Sequence, residues 1–280
     1  MTSNVAIFED LIMNFLKRLC RPRRIPDTVP IVNLVRDKKL TSVFQPLVCL
    51  NNGTIVGHEA LVRSPKIFSN FDSLALLAAA KEAHFQGEFE LACVEHAMAC
   101  WDREFHQGRL FINISAESLL NLEANVETGR LLEVLIKHRM PARRLVFELT
   151  EHSKFEQVAE LLEVVRKIQK AGVEIALDDM KGSELCVVLW SKLAPGIVKL
   201  DNRYASGVAN NEDKSKAVRS MVAIARRLDS ALIAKGVENA EDLRVLRDLG
   251  VGFAQGRFLG SPDAMPVEIL NQRAKSALMS

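Results

Sequence analysis

Eight polar or charged residues stand at or near the ends of short apolar runs in this sequence. TIVGHEALVR carries Glu59, RLFINI carries Asn113, RLVFELT carries Glu148, and VEIALDD ends on Asp178 and Asp179. GIVKLD carries Lys199, ALIAKGV carries Lys235, and GFAQGRF carries Gln255. Four of the eight are carboxylates, and gathered in one place they would repel each other or take up protons unless cations compensated them. Hard oxygen donors with one amide suit Mg²⁺ or Mn²⁺ better than Zn²⁺. The adjacent pair Asp178 and Asp179 suits two such ions about 3.5–4 Å apart. With Lys199 to orient a water or hold a phosphate, the chemistry expected of this set is cleavage of a phosphodiester.

Such residues meet only if the elements bring them together. From about residue 40 the sequence alternates between strand-like and helical stretches. SVFQPLVCL and TIVGHEALVR flank Asn51, Asn52 and Gly53, the signature of a hairpin. One long helix is expected over roughly 73–103. The six later runs alternate with LLEVLIKH, FEQVAELLEVVRKIQKAG, SELCVVLWSKL, KAVRSMVAIARRL and AEDLRVLRDLG, most of them apolar at helical spacing. Gly172 and Gly250 stand where helices should stop. Eight strands alternating with helices predict an α/β fold, a (β/α)8 TIM-like barrel, whose strand ends converge on one face. The hairpin start implies that the first strand runs antiparallel to the rest. A doubly wound sheet is the alternative, but it ordinarily opens on a glycine-rich turn, which is missing here.

The 280 residues are 48% hydrophobic and 26% charged, with a net charge of +2, too balanced for a nucleic-acid-binding surface, so no DNA partner is expected. The five cysteines are scattered and read as reduced thiols of a cytoplasmic protein. The first 39 residues read as a separate segment, with residues 40–280 as the domain proper. Ile7, Phe8, Leu11, Ile12, Phe15, Leu16 and Leu19 form one helical stripe, and Lys17, Arg18, Arg21, Arg23 and Arg24 follow among prolines. This helix is expected to pack on the main domain or a second subunit. Membrane association, through this segment or through a sensor domain in a longer chain, is the alternative. His58 is expected to point to the opposite strand face from Glu59 and to pack there. Trp101 and Trp190 read as core.

Taken in order, EALVR (59–63), NIS (113–115), ELTE (148–151), LDD (177–179), VKLD (198–201), KGVE (235–238) and QGRFLGSP (255–262) resemble the EAL-domain cyclic di-GMP phosphodiesterases over about residues 40–265. The resemblance implies a modified (β/α)8 barrel with one antiparallel strand and cleavage of cyclic di-GMP to linear pGpG. It also implies that Glu59, Asn113, Glu148 and Asp178 hold a first Mg²⁺ or Mn²⁺, and that Asp178 with Asp179 holds a second. Lys199 would position the attacking water. Gln45, Leu61, Arg63 and Gln255 would contact the dinucleotide, alongside Glu59, Asn113 and Asp178. Glu151 would tether the loop after the aspartates. A homodimer and a signalling protein partner are the expected associations.

Two departures from the family pattern bear on activity. Where the family has AEGVE, this chain has AKGVE, so that Lys235 replaces a glutamate assigned as general base or partner of the second metal. Where the family has DDFGTGYSSL, this chain has DDMKGSELCV. A charged ammonium neither accepts a proton from water nor ligates a divalent cation. Lys235 is therefore expected to repel the second metal, or to take its place by pairing with Asp179 and reaching a phosphate, which leaves one metal site rather than two. Three readings follow: a receptor that binds cyclic di-GMP with hydrolysis impaired, an active phosphodiesterase, and a protein-interaction module that no longer sees nucleotide.

Overall fold

The computed structural model describes residues 31–64, 73–103, 108–123, 129–150, 158–180 and 184–279. The amphipathic stripe and the basic run before residue 31 lie outside the described residues. Within the segment read from sequence as linker, Ile31–Arg36 forms a helix, α1. Together with Leu40 it buries Ile31 and Leu34 against Ala75, Leu76, Ala80 and Phe89, a small core separate from the main one.

Strands β1 (Thr41–Cys49) and β2 (Ile55–Arg63) form the hairpin, with Gly53 at a φ of 70° in its turn. Six further strands follow: β3 (Arg109–Ser115), β4 (Leu145–Thr150), β5 (Glu174–Met180), β6 (Ile197–Leu200), β7 (Ala231–Ala234) and β8 (Phe253–Ala254). They close into a barrel in sequence order. β1 runs antiparallel to both β2 and β8, and every other pairing is parallel, as the sequence reading expects. The last two strands are shorter than their apolar runs, so Lys235 and Gln255 stand just beyond β7 and β8.

One expected helix is two. The segment 73–103 divides into α2 (Ser73–Glu82) and α3 (Gln86–Arg103). His84 adopts a φ of 50°, and the Phe85 amide donates back to the Ala80 carbonyl, a left-handed helix stop built without glycine. The usual punctuation is absent, so helical periodicity reads through the break. The remaining helices described are α4 (Ala116–Glu123), α5 (Arg130–His138), α6 (Val158–Lys170), α7 (Glu184–Leu193), α8 (Asn202–Ala205), α9 (Glu212–Arg227), α10 (Ala240–Asp248) and α11 (Gln272–Met279). Their apolar faces and the outward faces of the strands form the main core, which includes Trp101 and Trp190.

Inside the barrel the two-residue period of the strands builds two layers. The lower layer is apolar: Leu47, Phe111, Val146, Ala176, Ile197 and Ile233 pack together, with Phe253 against them. Two residues further along each parallel strand stand Asn113, Glu148, Asp178, Lys199, Lys235 and Gln255. Strand β1 runs the other way, so its member is Gln45, two residues before Leu47. On β2 the lower position is Gly57 and the upper one Glu59. A Cβ at Gly57 would lie 2.4 Å from the Arg109 carbonyl oxygen and 3.0 Å from the Phe111 ring, so glycine makes room for the large aromatic that fills the lumen. The polar layer therefore rests on a dry apolar floor.

Candidate functional site

The upper layer brings together side chains from all eight strands. Gln45 lies opposite Glu59 in the β1–β2 ladder, and Asn113 opposite Glu148 in the β3–β4 ladder. Glu148 and Lys199 are wholly buried, and Glu59, Asp178 and Gln255 nearly so. Leu61 and Arg63 follow Glu59 on the same strand face by alternation. Arg63 donates to the Val62 carbonyl at 2.9 Å and to Ser73 Oγ at 3.0 Å. Glu151 and residues 181–183 of the altered loop lie outside the described residues.

The charges of the layer sort into two groups. In the first, Lys199 Nζ donates to Glu59 Oε2 at 2.8 Å and to Glu148 Oε1 at 2.5 Å. Glu59 also accepts from Gln255 Nε2 at 2.7 Å and from Asn113 Nδ2 at 2.7 Å. Gln255 reaches Gln45 Oε1 at 3.0 Å, and Gln45 in turn donates to the Gly260 carbonyl at 3.1 Å. Burial pushes the Glu59 carboxyl up, but the Lys199 charge and the hydrogen bonds from Lys199, Gln255 and Asn113 outweigh it and hold the group at about 2. Burial drives Glu148 the other way. The negative Glu59 and Asp178 reinforce that burial, and Lys199 only partly offsets it, so Glu148 titrates well above the usual carboxylate range. Burial lowers Lys199, but Glu148, Glu59 and Asp178 more than reverse this and keep it protonated.

In the second group, Lys235 Nζ lies 2.7 Å from Asp178 Oδ1 and donates to Asp179 Oδ1. Burial lowers Lys235 and Lys199 repels it, yet Asp178 and Asp179 leave its affinity for a proton raised. The two aspartates therefore favour its charged form. Gly236 follows immediately at a φ of 73°, which turns the chain away, and a Cβ there would lie 2.8 Å from Asn202 Cβ. Beyond that turn Asn239 caps α10 by accepting from the Asp242 amide at 2.8 Å. The buried Asp242 carboxylate accepts from the Gly207 and Ala209 amides, both at 2.9 Å. The segment after Lys235 is thus anchored to the one after α8.

These pairings bear on which cations the layer can take. Four carboxylates face two ammoniums, a formal charge of −2 with every acid ionised. The first group carries hard donors for one divalent cation in Glu59, Glu148 and Asn113; Lys199 bridges the two carboxylates, but Glu148 Oε2 is buried without a hydrogen-bond partner and is left to take an ion. The second group does not fit a cation, because Lys235 already lies between Asp178 and Asp179. Among the described residues, no cluster of three or more His, Cys, Asp or Glu side chains is arranged to hold a metal ion.

His58 lies outside the barrel, buried against Trp101 with its Nε2 donating to the Val267 carbonyl at 2.9 Å, as its alternation with Glu59 predicts. Sequence reasoning quoted Asp201 within VKLD but gave no role to the charges just past β6. Asp201 caps α8 and pairs with the Arg203 guanidinium at 3.1 Å and 3.2 Å. The pattern Asp-x-Arg after a strand was the available signal.

A family model described as the EAL domain matches residues 31–262. The bifunctional diguanylate cyclase/cyclic di-GMP phosphodiesterase MucR of Pseudomonas aeruginosa is 26% identical over 83% of this chain and 34% of its own length. The chain spans about a third of the length of the curated relatives it matches first. Among solved structures, the Xanthomonas citri FimX EAL domain in complex with c-diGMP matches 94% of this chain and 99% of its own, with a TM-score of 0.75 and 16% identity. Klebsiella pneumoniae BlrP1 in its manganese/cy-diGMP complex matches 87% and 58%, with a TM-score of 0.71 and 23% identity. No helix among the described residues is long and apolar enough to cross a membrane.

Proposed function

The chain belongs to the EAL-domain family, with relatives that are cyclic di-GMP phosphodiesterases, and from that premise we propose that it binds cyclic di-GMP as a signalling receptor, with hydrolysis impaired. The observation that carries this reading is the Lys235 ammonium paired with Asp178 and Asp179, where the family has a glutamate. An ammonium supplies neither a general base nor a metal ligand. Loss of a general base alone costs on the order of 10²–10⁴-fold in rate. Recognition has a separate set of residues. Gln45, Leu61, Arg63 and Gln255 are the dinucleotide contacts, with Glu59, Asn113 and Asp178 beside them. The half-buried glutamine chain from Gly260 through Gln45 and Gln255 to Glu59 supports a preorganised binding surface.

One Mg²⁺ or Mn²⁺ is proposed for Glu59, Asn113, Glu148 and Asp178, where it would polarise a phosphate oxygen and lower the pKa of a bound water. The BlrP1 structure, which holds manganese with the dinucleotide, supports that choice of ion. Lys199 holds Glu59 and Glu148 together and keeps the first group compact. The proposed assembly is a homodimer that signals to a protein partner.

The second reading, an active phosphodiesterase, is favoured by the gathering of Glu59, Glu148 and Asn113 beside Lys199. Incubating the chain with cyclic di-GMP and Mn²⁺ and measuring pGpG separates the two. Turnover at rates usual for enzymes would overturn the receptor reading, and retained nucleotide without pGpG would support it.

A further inference from the structure

We infer that the end of the barrel opposite the polar layer docks on an anionic lipid bilayer, through the segment IKHRMPARR (136–144) that ends α5 and leads into β4. The segment holds Lys137, Arg139, Arg143 and Arg144 and no acidic residue. At its head Ile136 is 70% exposed, whereas Leu131, Val134 and Leu135 of the same helix are buried. A large apolar side chain is thus left in water among basic ones.

The backbone fixes where these side chains stand. Arg139 takes a φ of 51°, and its amide and that of Met140 donate back to the Ile136 and Leu135 carbonyls at 3.1 Å and 3.2 Å. That left-handed stop ends α5. Met140 then enters the core, and a short 3-10 turn, Ala142–Arg144, leads into β4. Arg144 Nε donates to the Gly108 carbonyl at 2.9 Å, just before β3. Ala142 lies beside Gly172, which brings the exposed Lys170 at the end of α6 to the same end of the barrel. Some of the charge is compensated: Lys137 lies 3.2 Å from Glu95, Arg109 holds Glu174, and Glu133 is exposed one turn above Lys137. Arg139 and Arg143 have no ion-pair partner among the described residues.

A bilayer with acidic headgroups attracts such cations and takes an apolar side chain at the acyl boundary. A nucleic acid would call for a stacking aromatic, and this segment has none. A bilayer seated here leaves the polar layer, at the far ends of the strands, open to solution, whichever ligand that layer takes.

The test is flotation of the full chain with phosphatidylcholine vesicles containing about 30% phosphatidylserine, against vesicles of phosphatidylcholine alone. Binding to the anionic vesicles only is expected, with release as salt rises from about 0.05 M to about 0.5 M. A basic residue at such a surface contributes about fivefold in affinity, so Arg139→Gln with Arg143→Gln should weaken binding about 25-fold. Ile136→Ser should weaken it several-fold and leave the salt dependence unchanged. Lys17, Arg18, Arg21, Arg23 and Arg24 form a second cationic run, so the Arg139 and Arg143 pair is also changed in a chain with those five replaced by Gln, where the remaining binding should vanish. Circular dichroism and melting establish that each variant is folded. Equal binding to both kinds of vesicle, or undiminished binding by the folded Arg139→Gln, Arg143→Gln chain, would overturn the inference. Absence of wild-type binding to the anionic vesicles would also overturn it and leave the patch to an acidic protein surface.

Discussion

Glu59 and Glu148 are the same side chain, both buried against one ammonium, yet they are driven in opposite directions. Glu59 has two amide donors besides Lys199, whereas Glu148 has one oxygen without a partner and two negative neighbours. The metal-free protein should accordingly carry a proton on Glu148 under conditions where Glu59 is ionised. For Glu59, with its folded-state pKa lowered from 4.5 to about 2, the stabilisation is present above 4.5 and is lost as pH falls toward 2. Urea denaturation of chelator-treated protein across that window should show a steeper loss for wild type than for Glu59→Gln. For Glu148, whose folded-state pKa is raised, stability instead declines as pH rises from 4.5 through the raised value. Glu148→Gln mimics the protonated form. Its melting temperature should fall less than that of wild type as pH rises above 4.5, and it should bind Mn²⁺ more weakly by calorimetry. An equal fall in both proteins would show that Glu148 is not raised in the folded state.

Two adjacent residues of a regular strand point to opposite faces, so a straight β5 could offer only one of its two aspartates to Lys235. The pairing of β5 with β6 shifts register between Leu177 and Met180, and Asp179 lies in the left-handed region at a φ of 52°. That irregularity lets both carboxylates meet one ammonium. Aspartate tolerates this conformation better than most residues, and glycine takes it without strain. Asp179→Gly should therefore be more stable than Asp179→Ala by about 1 kcal/mol in chemical denaturation, since both lose the same carboxylate. Equal stability would mean that the left-handed turn relaxes once the ion pair is gone. The doublet was plain in the sequence, but not the bend that makes it useful. The break at His84 was hidden for a related reason, since a left-handed residue other than glycine leaves no mark in a helical pattern.

At the scale of the barrel, the polar layer is only as well placed as its apolar floor. Phe111 is 2% exposed at the centre of that floor, one alternation below Asn113. Phe111→Ala should cost about 3–5 kcal/mol in urea denaturation, the range for opening a cavity under a buried aromatic. A loss below about 1 kcal/mol would mean that the lumen collapses freely around the smaller residue. The barrel, its antiparallel first strand and the polar residue at each strand end were legible in the sequence, because a two-residue period and turn chemistry are local properties. The reversal of charge at Lys235 was equally legible, as one letter in a known pattern. Only the tertiary structure decided which acid each ammonium holds. Lys199 meets partners 140 and 51 positions away, and Lys235 meets one 56 positions away, and no spacing rule pairs them. It also decided that burial and negative neighbours drive Glu148 up while Lys199 and two amide donors hold Glu59 down. Both outcomes depend on burial and on distances across the barrel, which exist only once the eight strands have closed.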